Sequence, residues 1–184
     1  KLVRNNEPIN DEIYYERSDN EFQSSVSEIL TKHNLMFKLA DLIVNDSASN
    51  YELRKSIVGD CSISLNSSCF ETFLQTKAIR IYRRPLKQSQ VVDLREIYNE
   101  KSDKTIALRN VLYTMLSSTN FNLVVEVEGS VVNGANEQVY LDDYELASRL
   151  SYHFWNTMPD EKLLDMAKLG KLTTDSGYDE ALNY

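Results

Sequence analysis

Histidine, cysteine and tryptophan are almost missing from the 184 residues: His33 and His153, Cys61 and Cys69, and Trp155 are all the chain has of them. That scarcity removes whole chemistries. The histidines have no companion at metal-ligand spacing, and the cysteines form neither a CxxC redox motif nor a CxxCH haem attachment. GxSxG, P-loop, GxGxxG and Ser-His-Asp patterns are missing as well. No catalytic, cofactor-binding or metal-ligating residue is therefore assigned. Positive charge is in deficit, since 20 Lys and Arg stand against 28 Asp and Glu for a net −8. The average surface then repels phosphate backbones and anionic lipids, and nucleic acid is not an expected partner. Long apolar runs are also lacking. The longest mainly apolar stretch, Leu35 to Val44, contains Lys38 and Asp41 and falls far short of the roughly 20 residues a bilayer span needs. No transmembrane segment is expected.

What is present is helical periodicity. The length fits one medium domain or two small ones, enough to bury a core without metal or many disulfides. Residues 1 to 17 are polar and aperiodic. Ser18 with Glu21 then reads as a capping box, and Phe22, Val26, Ile29, Met36, Phe37, Ala40, Ile43 and Val44 recur at helical spacing. A short helical run at Tyr51 to Val58 ends at Gly59. Ser68 with Glu71 predicts a second capping box, and Phe70, Phe73, Leu74, Ala78 and Ile81 mark a helix that stops before Pro85. Further stripes run through Val91, Leu94, Ile97 and Tyr98, and through Leu108, Val111, Leu112 and Met115. Phe121 to Glu128 breaks the rhythm: Leu123, Val125 and Val127 alternate with polar residues, which predicts a strand. Gly129, Asn133 and Gly134 would turn it back towards a partner near Val139. Asp142 with Glu145 caps the next predicted helix, whose inner stripe is Ala147, Leu150, Ser151 and Phe154. Pro159 is expected at a first helical position, Leu163, Leu164 and Ala167 facing inward, and Gly170 at the helix end, before a last helix begins near the C-terminus. The expected fold is mainly α, a helical bundle-like domain with one small β-hairpin.

Cys61 and Cys69 lie eight positions apart in the Ser/Asn-rich stretch GDCSISLNSSC. Its composition reads as a surface loop able to bring the thiols together. A bridge there would contribute about 2 to 3 kcal/mol and imply an oxidising compartment. Two unpaired, partly buried thiols are the alternative that spacing leaves open.

Three segments resemble a bacterial family. CFETFLQTKAIRIYRRPL, preceded by Cys61, looks like a domain with a helix ending in Ala-x-Arg-x-Tyr-Arg-Arg-Pro-Leu. LRNVLYTMLSSTNFNLVVEVE is similar to that family's helix followed by a short strand, with Asn120 where the family often has His. LDDYELASRLSYHFWNTMPDEKLLDMAKLGKL is similar to the start of the next family domain, with His153 where an apolar residue is common. These are the domains of unknown function that occur beside c-type cytochrome domains in planctomycetes and other exported bacterial proteins. The resemblance covers roughly residue 61 to the end. It implies three regions: an unassigned helical one at 1–60, a helical domain with the Cys pair and Arg-Arg-Pro motif at 61–128, and the start of a second domain at 129–184. It also implies an extracytoplasmic protein, periplasmic, outer-surface or secreted, with haem c carried by neighbouring domains of the same polypeptide. The start at Lys1, with no methionine, charged n-region or apolar h-region, fits a signal peptide removed or lying outside this sequence.

Several residues invite sharper readings. Lys77, Arg80, Arg83 and Arg84 could bind a phosphate, a sulfated sugar or an acidic partner, but cations also complement a helix C-terminus, worth about 0.3 to 1 kcal/mol each. The acid pairs Asp142 with Asp143, Asp160 with Glu161, and Asp179 with Glu180 would suit a glycosidase. They stand at helix starts, where acids cap, and neighbours in a helix point apart, unlike the opposed carboxyls of glycoside hydrolysis. His33 falls on an apolar stripe as a core or edge histidine, and His153 would at most ligate an external haem. Tyr152, Phe154 and Trp155 cluster in one helix and suit packing or an interface. The expected interaction residues are Arg80, Arg83, Arg84, Tyr152 and Trp155. The expected function is a non-catalytic helical module of an exported, cytochrome-linked multidomain protein, with roles in extracellular redox or polysaccharide metabolism. The alternatives are part of a carbohydrate-active enzyme completed by other domains, or a protein–protein interaction domain.

Overall fold

The computed structural model describes residues 26–45, 51–59, 65–124, 126 and 140–183. Cys61, the Ser18–Glu21 capping box and the expected return strand near Val139 lie outside the described residues. The first core is built around α6 (Lys104–Ser117), which packs against α1 (Val26–Val44) on one side and α5 (Gln88–Glu100) on another. Being sandwiched, α6 buries more than a single stripe: Ala107, Leu108, Val111, Leu112 and Met115 are all essentially inaccessible. Asp103 starts it by accepting from Thr105 N at 2.9 Å and Ile106 N at 3.3 Å. From α1 come Ala40, Ile43 and Val44, and α2 (Tyr51–Val58) adds Val58 to the same core.

The helix expected to run unbroken from Ser68 is two pieces, α3 (Ser67–Thr76) and α4 (Ala78–Tyr82), jointed at Lys77. Its cap is Asn66, whose side chain accepts from Cys69 N at 2.9 Å, rather than Ser68. Phe70 stacks on Tyr98 of α5 with centroids 3.8 Å apart, and the Tyr98 hydroxyl donates to Leu65 O at 2.6 Å. Chain reversal follows Tyr82, where Arg83 adopts φ 58°, in the left-handed region. Pro85 restricts Arg84, the residue before it, and so keeps the helix from resuming after the turn.

The expected β-hairpin is not seen, and no strand occurs among the described residues. Phe121 and Asn122, assigned from sequence to its first strand, belong instead to a helical turn, α7 (Thr119–Asn122). Ser118 caps that turn, and the Asn122 side-chain amide donates to Leu116 O at 2.8 Å and Ser118 O at 2.9 Å. Side-chain to backbone bonds of this kind compete with strand pairing. Only at Leu123, φ −121° and ψ 147°, does the backbone become extended.

A second, smaller core joins α8 (Asp143–Trp155), α9 (Glu161–Lys168) and α10 (Asp175–Leu182) through Ala147, Leu150, Leu163, Met166, Ala167, Leu172 and Ala181. The capping box starting α8 is as the sequence predicts: Glu145 N donates to Asp142 at 2.7 Å, and Asp142 N to Glu145 at 2.8 Å. In α9 the cap is Asp160, so Pro159 sits one place ahead of it, buried, rather than at the first helical position. Gly170, φ 66°, ends that helix as expected, with Lys171 N reaching back to Met166 O at 3.1 Å. Gly177 permits the close return of α10, since a Cβ there would lie 2.2 Å from Lys171 O. Ala147, Leu150 and Ser151 face inward, whereas Phe154 is 56% exposed. Periodicity identifies a helix face; it does not say how far along that face the neighbouring helices reach. The result is a mainly α, bundle-like fold, and no described helix is long and apolar enough to cross a membrane.

Candidate functional site at the seam between the two cores

The Arg83 side chain is the centre of the seam. The turn after α4 drives it inward until only 5% of the residue is exposed, and its guanidinium donates to three main-chain carbonyls: Asn120 O at 2.6 Å, Leu123 O at 2.7 Å and Phe121 O at 3.1 Å. Those carbonyls would otherwise need water or another strand. A planar fork of five donors in fixed geometry can serve all three at once. Arg84 donates to the Asn120 side chain at 2.9 Å. From the other core, the Tyr152 ring lies 5.9 Å from the Arg83 guanidinium carbon.

Between these groups is a cleft lined by Tyr82, Arg84, Asn120 and Val124 on one side and Tyr144, Glu145 and Ser148 on the other. Its volume, about 20 Å³, suits a water or two rather than a sugar ring. Burial pushes the Tyr82 phenol above its ordinary pKa, opposed by a hydrogen bond with Ser118 and the charge of Arg84. The Tyr144 phenol is raised by burial first, then by Asp142, Asp143 and Asp165. Both hold their protons at neutral pH. Two ion pairs also link the segments of the two cores: Arg149 makes a two-pronged bond to Glu126, and Arg80 approaches Glu161 at 3.5 Å.

Of the acids considered for glycoside hydrolysis, Asp142, Asp143, Asp160, Glu161 and Glu180 have other partners. Asp142 and Asp160 cap helices. Asp143 accepts from Leu172 N at 2.7 Å, Thr173 N at 3.2 Å and the Thr173 hydroxyl at 3.1 Å, pinning the segment before α10 to the start of α8. Glu180 faces Lys171 at 3.9 Å. No group of three or more His, Cys, Asp or Glu among the described residues could hold a metal ion. His33 is exposed, its Nδ1 3.1 Å from the Tyr113 hydroxyl, and His153 is exposed and edge-on to Phe154 with centroids 4.8 Å apart.

Beyond the seam, the end of α8 presents Phe154 and Trp155, the latter 49% exposed, with Met158 also open to solvent. A second apolar row, Leu35, Leu39 and Leu42, lies on the outer side of α1. From sequence, Arg80, Arg83, Arg84, Tyr152 and Trp155 are the expected interaction residues; Arg83 is instead turned inward, and Asn120, noted only as a departure from the family pattern, stands with its neighbouring carbonyls around it. Backbone acceptors leave no mark in composition, and they lie 37 to 40 positions from Arg83. No curated protein and no solved structure matches the chain. Residues 141–183, holding the smaller core and one wall of the cleft, match the model of a family described as a protein of unknown function (DUF1592), and to that domain family this part of the chain is similar.

Proposed function

We propose that the chain is a non-catalytic helical module of an exported, cytochrome-linked multidomain protein, carrying no chemistry of its own and docking against other domains of that polypeptide. The supporting observation is how its polar and apolar groups are used. Arg83, Asp142, Asp143 and Asp160 are engaged in holding backbone, while Phe154, Trp155 and Met158 face solvent. Polar groups committed to holding backbone, with large apolar ones left outside, suit a surface for a neighbour better than a substrate site. On this reading the regions 1–60, 61–128 and 129–184 are successive units. Arg80, Tyr152 and Trp155 contact the domains that follow, and haem c sits in those domains.

Export is proposed with a Cys61–Cys69 disulfide, whose second cysteine belongs to the first turn of α3. The test is cell fractionation of the producing organism with intact-mass measurement before and after reduction. Recovery outside the cytoplasm with a gain of two hydrogens supports the proposal; a cytoplasmic protein with no mass change refutes it. The exposed aromatics also favour a second reading, in which Trp155 binds a separate protein chain. Retention of a partner by the purified full-length product, lost on Trp155→Ser, distinguishes the two.

A further inference from the structure

The two hydrophobic cores are separate clusters of buried residues, and among the described residues polar and cationic contacts bridge them. Arg149, on α8, grips Glu126, a few residues beyond the backbone that Arg83 holds from the first core. Arg80 of α4 reaches Glu161 of α9, and Arg83 lies near the Tyr152 ring. We infer that this seam is an ionic latch: the Arg149–Glu126 pair, with Arg83 anchoring the backbone next to it, makes the two cores unfold as one, and weakening the pair releases the smaller core alone. The inference does not rest on the proposed cytochrome link and holds whatever the chain is joined to.

Geometry favours this pair over the other contacts. Both side chains are partly shielded, at 33% and 28% exposure, and the fork-to-carboxylate bond is two-pronged, the arrangement that gives an arginine pair most of its strength. Arg80 and Glu161 are more open, at 41% and 73%, and contribute little. The smaller core also needs help. Residues 140–183 are near the size, about 40 residues, below which a domain rarely stands without a metal, disulfide or partner, and both cysteines lie outside that stretch.

Trp155 is the only tryptophan and sits on α8, so its fluorescence reports the smaller core while far-ultraviolet circular dichroism reports all helices. In the unmodified chain at low salt the two thermal midpoints should coincide. Glu126→Gln, or about 1 M sodium chloride, where the screening length falls to ~3 Å, should bring the fluorescence midpoint roughly 5 °C below the dichroism midpoint. The charge exchange Glu126→Arg with Arg149→Glu should close the gap again. Midpoints that stay together in salt and in Glu126→Gln overturn the inference. So do midpoints already apart in the unmodified protein at low salt, or a gap the exchange leaves open. If a variant does not fold, the salt series on the unmodified chain decides alone.

Discussion

Replacing Arg83 by alanine removes three hydrogen bonds at 2.6, 2.7 and 3.1 Å from one buried side chain. Bonds to a charged donor contribute about 1.5 to 3 kcal/mol each when isolated, but three to one guanidinium are not additive. The freed carbonyls lie on partly exposed residues, where water replaces part of the loss. A cost of roughly 3 kcal/mol follows, the lower edge for breaking a buried charged contact. Arg83→Lys keeps the charge but loses the planar fork, whose donors stand on separate nitrogens in fixed geometry, and should cost about 2 kcal/mol. Backbone strain separates this mechanism from simple loss of packing. At φ 58° alanine still carries a left-handed penalty that glycine does not, so Arg83→Gly should be more stable than Arg83→Ala by about 1 kcal/mol. Equilibrium urea unfolding followed by circular dichroism gives all four stabilities. A loss below about 1 kcal/mol for alanine would show that the carbonyls do not depend on Arg83, and an alanine variant as stable as glycine would refute the strain component.

Other outcomes follow from the same geometry. Leu150→Ala should cost about 3 kcal/mol by opening the smaller core, while Phe154→Ser, four positions on, should change stability by less than about 0.5 kcal/mol; similar losses would mean Phe154 is buried after all. Asp142→Ala breaks the capping box of α8 and should cost about 1 kcal/mol in urea unfolding, with no loss counting against it. The raised phenol of Tyr82 makes the folded state hold a proton that the unfolded chain releases near pH 10. That contribution is intact below the unfolded value and lost as pH rises through the folded one, so Tyr82→Phe should lessen alkaline unfolding; an unchanged alkaline midpoint would exclude Tyr82 as a source. The Glu71 carboxyl is lowered, chiefly by its hydrogen bond from Arg95, so its contribution is present above the unfolded value and disappears as pH falls through the folded one. Both groups are more than a third exposed, and Glu71→Gln should therefore cost well under 1 kcal/mol at neutral pH.

Helices with one-sided burial were legible in the sequence because period 3.6 records a face. The stripe Leu108, Val111, Leu112 and Met115 and the Asp142–Glu145 box are where the spacing puts them. Two kinds of information were not local. The apolar alternation after Phe121 reads as a strand, yet Ser118 and Asn122 bond their own backbone and Arg83 takes the carbonyls a strand partner would use. No window around Phe121 contains Arg83. Phe154 shares its face with Leu150, and its exposure depends on where the packed neighbours end. Of the site, the arginines and aromatics were legible as residue types, but which of them turn inward depended on one left-handed residue ahead of Pro85.

On the proposed function, this chain is a frame whose chemistry resides in other domains of the same polypeptide. The most direct test is the covalent haem content of the full-length gene product, produced in a periplasm equipped for cytochrome c maturation and measured by absorption and peptide mass. Haem c bound to peptides outside the 184 residues, with none inside them, is the predicted result. A full-length product with no covalent haem, or one whose activity survives in this segment alone, would contradict it.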